Sequence, residues 1–242
     1  VGEAAAQASY RTIDNFYISA ISADGNAAAG PLTFNFEAAR WSADLPDTVV
    51  GLGRDTWTTL GRWAGKVDIS ADGNRISSSV ATDDSLMTFG LWEKGVGWTL
   101  SMPPLAPGGQ IFDSAYGSGW GLSGDGQVGT GMYWTTQGNG QACLWTAASG
   151  ITVLDSPSQS RPNGIDFDGN VVTGWSYTPG YTQRTATVWV DGELTLLTTG
   201  PGEGYNVSSD GNTVLGEFFD ESTGLVTACI WTNTGDSWIQ NV

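Results

Sequence analysis

Residues 163–174 read NGIDFDGNVVTG, and TATVW at 185–189 follows. A short apolar run enters an Asp-Gly-Asn turn, a second run closes on Gly, and a third ends on Trp. The same order of signals occurs at SADGN (22–26), SADGN (70–74), SGDGQ (123–127), DFDGN (166–170) and SSDGN (208–212). The marker residues Asp24, Asp72, Asp125, Asp168 and Asp210 lie 48, 53, 43 and 42 residues apart. The closing Trp41, Trp92, Trp145, Trp189 and Trp231 follow them by 17 to 21 residues. Self-similarity at such a period is the mark of propellers and solenoids.

Each copy has the physics of a four-stranded meander. The first strand ends on Ile21, Ile69, Leu122, Ile165 or Val207. Asp-Gly and Gly-Asn supply the positive φ values that a tight hairpin needs. The second strand is AAAG, RISSSV, VGTG, VVTG or TVLG, and the third ends in EAARW, TFGLW, QACLW, TATVW or TACIW. The fourth is read at 48–52, 97–102, 151–155, 194–199 and 237–242. One such sheet cannot bury both its faces, whereas five arranged radially can. The fold class is therefore all-β, a five-bladed β-propeller of antiparallel four-stranded blades over 15–242. Residues 1–14 form a tail or a strand that latches the ring. In this strand order the first strand lines the central channel, and the turns sit at one end of it.

The strand pattern resembles that of WD repeats without their Gly-His and Trp-Asp signatures. It is more similar to the HAF-type repeats of bacterial extracellular proteins, whose pattern runs Y-G-I-N-x-x-G-x-V-V-G and then H-A-F-L-W. NGIDFDGNVVTGWS matches the first half, and QACLW and TACIW match the second. The His of that pattern is replaced by Glu37, Thr88, Gln141, Thr185 and Thr227. The resemblance covers nearly the whole chain and implies a secreted bacterial β-propeller, with no activity attached.

The totals narrow the function. The chain of 242 residues carries a net charge of −16 with nine Lys and Arg together, a poor match to a phosphate backbone. No run of 18 apolar residues is present, so no membrane insertion is expected. An acidic, Lys-poor surface suits a soluble secreted protein. The absence of His removes the Ser-His-Asp triad, the Cys-His pair and the imidazole metal site. Cys143 and Cys229 fall in the same core-facing slot of copies three and five, too far apart to bridge. Two buried free thiols are expected. Each turn offers one carboxylate, whereas calcium takes 6–8 oxygen ligands. The Asp residues are therefore read as fixing their own turns, with no cofactor, calcium being the only ion they leave open.

Of twelve Trp, five close third strands, and Trp98 and Trp238 fall in fourth strands. Trp57, Trp63, Trp120, Trp134 and Trp175 remain, with Tyr133, Tyr177, Tyr181, Tyr205, Phe218 and Phe219 on the same loop side. Flat aromatic faces beside amides are the usual means of gripping sugars. The expected ligand contacts are Trp120, Asn163, Tyr205, Trp175 and Tyr177. Arg161 and Glu203, at matching positions of adjacent copies at the channel mouth, join the candidate ligand-binding residues; an Arg–Glu pair across that mouth would be structural rather than catalytic. The leading function is recognition of an extracellular ligand, glycan before protein. One alternative is a structural or adhesive module that makes protein contacts through an exposed apolar patch. The other is a glycoside hydrolase using carboxylates among Glu203, Glu217, Asp220, Glu221, Asp83, Asp84 and Asp68, two of them about 5–9.5 Å apart.

Overall fold

The computed structural model describes residues 12–55, 66–101, 108–111, 115–136, 139–179 and 183–242. They form five four-stranded antiparallel sheets, each a meander in chain order. Blade 1 is β1 (Ala20–Ile21), β2 (Ala27–Pro31), β3 (Glu37–Ser42) and β4 (Val49–Asp55). Blade 2 is β5 (Asp68–Ile69), β6 (Arg75–Ala81), β7 (Met87–Glu93) and β8 (Gly97–Ser101). Blade 3 is β9 (Gly117–Leu122), β10 (Val128–Thr136), β11 (Asn139–Thr146) and β12 (Gly150–Val153). Blade 4 is β13 (Ser160–Ile165), β14 (Val171–Tyr177), β15 (Arg184–Val190) and β16 (Glu193–Leu196). Blade 5 is β17 (Gly202–Val207), β18 (Thr213–Asp220), β19 (Leu225–Asn233) and β20 (Trp238–Asn241). The five-bladed β-propeller expected from the repeat is the observed architecture.

The turn chemistry explains why each meander begins where it does. Gly25, Gly73, Gly126, Gly169 and Gly211 sit at φ of 70–82°, open to Gly without cost. In four turns a Ser hydroxyl donates to the marker Asp and accepts the N–H five residues on, as Ser22 does with Asp24 (2.7 Å) and Ala27 (2.9 Å). The Asp also accepts the N–H two residues ahead, as Asp72 does from Asn74 at 3.0 Å. These carboxylates are spent inside their own hairpins. In the fourth turn Asp166 takes the Ser position and accepts the Val171 N–H at 3.0 Å.

The closing Trp residues stitch each blade to the one before it. Trp92 packs at the junction of blades 1 and 2, Trp145 on Phe89, Leu91 and Leu122 between blades 2 and 3. Trp189 lies beside Ala142 and Leu154, and its Nε1 donates to the Asp155 carbonyl at 2.6 Å. Trp231 is enclosed with Ala186 and Val188 of blade 4. Trp41, in blade 1, instead donates to Pro46 of its own blade. Cys143 and Cys229 are buried and unpaired, as the repeat alignment predicted.

A second series of bonds joins successive turns. Ala23 N–H donates to Ala71 (3.0 Å), Ala71 to Gly124 (2.8 Å), Asp125 to Phe167 (3.0 Å) and Phe167 to Ser209 (3.2 Å). The series ends at blade 5: among the described residues, no such bond runs from Ser209 back to Ala23. Among the described residues, the strand-to-strand packing that joins blades 1 to 2, 2 to 3, 3 to 4 and 4 to 5 has no counterpart of like extent between blades 5 and 1. All five first strands nonetheless line one central cavity of about 610 Å³. Ile13 and Phe16 pack on Ala28, Leu32 and Ala39, so the leading segment adheres to blade 1 from residue 13 onward.

Candidate functional site

Arg161 is the second residue of β13, and Glu203 the second of β17, at the end of the channel remote from the turns. The two side chains pair: Arg161 Nη2 donates to Glu203 Oε1, with side chains only 21% and 14% exposed. Arg161 Nε also donates to Asn163 Oδ1 at 3.0 Å. Asn163 Nδ2 in turn donates to Glu203 Oε1 (2.8 Å) and to the Gly204 carbonyl (2.7 Å). The guanidinium lies over Trp120 of blade 3, 4.2 Å from the ring centroid, and 5.4 Å from the Trp175 centroid. One cation thus ties blades 3, 4 and 5 together. Burial pushes the Arg161 guanidinium below its ordinary pKa, and Glu203 pulls the other way.

The other predicted contacts fall around this clasp. Trp175 is 3% exposed, with Arg184 4.4 Å from its centroid and Tyr177 edge-on at 5.4 Å. Asn163 is buried, and both its amide atoms are engaged. Trp120 is half-buried against the cluster of Met87, Met132 and Trp134, and its Nε1 donates to Ser118 at 2.6 Å. Tyr133 and Trp134 are buried too. Tyr205 alone of the five lead contacts stays open, at 43% exposure. Burial, and after it the nearby Glu217 carboxylate, push the pKa of its hydroxyl up. Trp57, Trp63, Tyr181, Phe112 and the segment 1–11 lie outside the described residues.

The candidate acids are distributed over several settings. Glu203 and Glu217 are cross-strand partners, and both line a 260 Å³ cavity with Arg184, Phe218, Phe219 and Val226. Asp83 pairs with Arg54 at 2.6 Å. Asp220 accepts Ser222 in its own turn. Asp68 faces the central cavity, where it accepts the N–H of Ile69 (2.9 Å) and of Leu122 in blade 3 (3.3 Å). Its burial raises its pKa, against the pull of Lys66 3.9 Å away.

The far side of blade 5 carries a surface that reading residue types in isolation missed. Leu215 pairs with Ile230, Phe219 with Val226, and Thr232 with Ile239, so these side chains share one face. All five apolar residues are exposed. The fifth position after the marker Asp makes the contrast plain: Ala29, Ser77, Thr130 and Thr173 are 0% exposed, and Leu215 is 53% exposed. Aligning the five copies would have shown the change from small residues to Leu.

No protein-family model matches the chain, and no curated protein matches it. Solved structures do. TolB from Acinetobacter baumannii aligns with a TM-score of 0.58 at 11% identity, over 93% of this chain and 53% of that one. The β-propeller domain of the trilobed protease from Pyrococcus furiosus, described as having an open velcro topology, aligns at 0.60 and 14% identity, over 92% and 68%. A putative TolB from Agrobacterium tumefaciens aligns at 0.57 and 16%, over 93% and 80%. The chain thus spans about half the length of the first of these. Identities this low establish the propeller fold and no more. The HAF-type likeness has no matching family behind it.

Proposed function

We propose that this propeller is a non-enzymatic protein-interaction module whose contact surface is the exposed apolar face of blade 5. The observation that carries this reading is Leu215, Phe219, Val226, Ile230 and Ile239 standing exposed on one sheet face. Contiguous apolar surface of this kind marks interaction sites. A glycan-binding reading would rest on Tyr205, Trp120 and Tyr177, the predicted aromatic contacts that keep some exposure. It is the weaker one, because Trp175 and Asn163 are spent on the clasp. A hydrolase built on Glu203 would need that carboxylate free for chemistry, and Arg161 and Asn163 hold it. The acidic, Lys-poor composition and the repeat pattern support an extracellular setting for the contact.

Capture of protein partners by the wild type, Ile230→Lys and Trp120→Ala, alongside a glycan array, tests the reading. Partners lost with Ile230→Lys and kept with Trp120→Ala, on a blank array, are the expected result. A coherent sugar family bound by the wild type and lost with Trp120→Ala would replace it with lectin function.

A further inference from the structure

We propose that the occupant of the blade 5 face is the same face of a second copy of this chain, packed sheet on sheet across a two-fold axis. This rests on the protein-interaction reading above and names its partner.

The argument begins with what the face cannot accept. Where one blade covers another, the inner strand of the follower comes close. A side chain on Gly204 would meet Thr173 of blade 4 at 2.0 Å, and one on Gly119 would meet Ser78 of blade 2 at 2.7 Å. Such approach tolerates the Ala, Ser and Thr found at the fifth position after the marker in blades 1–4. Leu215 is too large for it. The face is therefore not shaped to receive another blade of a ring, neither blade 1 of its own chain nor a sixth.

It is instead shaped for flat packing. Two sheets facing at about 10 Å interdigitate large apolar side chains from both inner faces. Leu215, Ile230, Phe219, Val226 and Ile239 supply such side chains, and Ala228 sits among them as a small one. Glu217 shares this face in β18, and its cross-strand partner Glu203 is held by Arg161 and Asn163. The partner face must then be largely apolar and must leave the rim carboxylate Glu217 in water. The same face on a second copy meets both demands, and a two-fold contact is self-complementary by construction.

Area sets the strength. Strands of about eight residues at ~3.3 Å per residue, four across at ~4.8 Å, give a projected face of roughly 400–500 Å². Two copies would remove about 1,000–1,200 Å² of accessible surface, the lower edge of a stable specific interface. Each copy also carries a net charge of −16, which opposes approach until salt screens it. The dimer should form in the micromolar range and strengthen with salt.

Sedimentation velocity of the intact chain, from about 1 to 200 µM at low and high salt, reads this directly. The expected result is a mass rising from 25.4 kDa toward twice that value, at lower concentration in high salt. Ile230→Lys should weaken association at least ten-fold. Val50→Lys, on exposed Val50 of blade 1, should leave it unchanged. Leu215→Thr, the residue of blades 3 and 4 at this position, weakens association without a new charge and covers the event that Ile230→Lys misfolds. Ala228→Cys should give a disulfide-linked dimer on oxidation, Cys143 and Cys229 being buried. A monomer at every concentration, a dimer that salt weakens, or a dimer untouched by both face variants overturns the proposal. A monomer whose captured partners still depend on Ile230 would show that the face binds a different protein, which separates this failure from failure of the interaction reading.

Discussion

Replacing Arg161 by Ala removes the cation that holds blades 3, 4 and 5 at the channel mouth. The side chains of the pair are 21% and 14% exposed, so Glu203 would be left largely buried with the Asn163 amide as its remaining side-chain donor. Breaking a buried pair by deleting one partner costs about 3–5 kcal/mol, and residual exposure here argues for the lower end, about 3 kcal/mol. Loss of the guanidinium from over the Trp120 ring adds about 0.5–1 kcal/mol. In a chain of this size each kcal/mol moves Tm by roughly 2–4 °C, so a loss of about 3.5–4 kcal/mol is a fall of about 7–16 °C. Thermal unfolding followed by circular dichroism, with urea unfolding as a second measure, gives the number. The double variant Arg161→Met/Glu203→Gln should recover most of the loss, since it removes both charges together. If Arg161→Ala lies within about 0.5 kcal/mol of wild type, the clasp is not structural and the argument fails. A residue kept for ligand binding would more often show that neutral result, because binding groups are commonly held at some cost to stability.

Three further outcomes follow from individual groups. Burial pushes the Cys143 thiol up to about 12 and the Cys229 thiol up to about 11, so neither should react with a thiol reagent near pH 8 until denaturant opens the fold. Hydrogen bonds from Ser22 and Asn26 hold Asp24 down to about 2, and Asp72, Asp210 and Asp220 are lowered by donors in their own turns. Lowered carboxylates contribute stability that is complete above the unfolded pKa, so Tm should fall as pH drops from about 4 toward 2, and a flat Tm over that range would contradict the turn assignments. Asp166 behaves in the opposite sense: its burial raises its pKa, so its charge works against folding above that value and the penalty fades as pH falls toward the unfolded value. Asp166→Ser, restoring the Ser of the other four turns, should therefore stabilise the protein more at pH 7 than near pH 4, measured as the pH dependence of urea midpoints.

The fold was legible because each blade is built from neighbours in sequence. Ser22, Asp24, Gly25 and Asn26 complete a turn among themselves, and the meander that follows pairs strands a few residues apart. Short-range chemistry repeated five times needs no tertiary information to be read, and it placed Ile21, Ile69, Leu122, Ile165 and Val207 at the channel and the closing Trp residues in third strands. The Arg161–Glu203 pair was legible for the same reason, since equivalent positions of adjacent copies must face each other.

The part each ring and amide plays was not legible, because aromatic rings and amides serve stacking on a sugar and packing on a neighbour equally well. Trp175 and Asn163 were assigned to a ligand by type; their surroundings come from Arg184 in the next strand and from Glu203 and Gly204 in the next blade. Leu215 shows the same division from the other side. Residue identities alone show that four copies carry Ala, Ser or Thr at this position and that the fifth carries Leu. That four of these sites are buried while Leu215 faces outward emerges only from the packing of blade on blade, because burial depends on what stands across the interface.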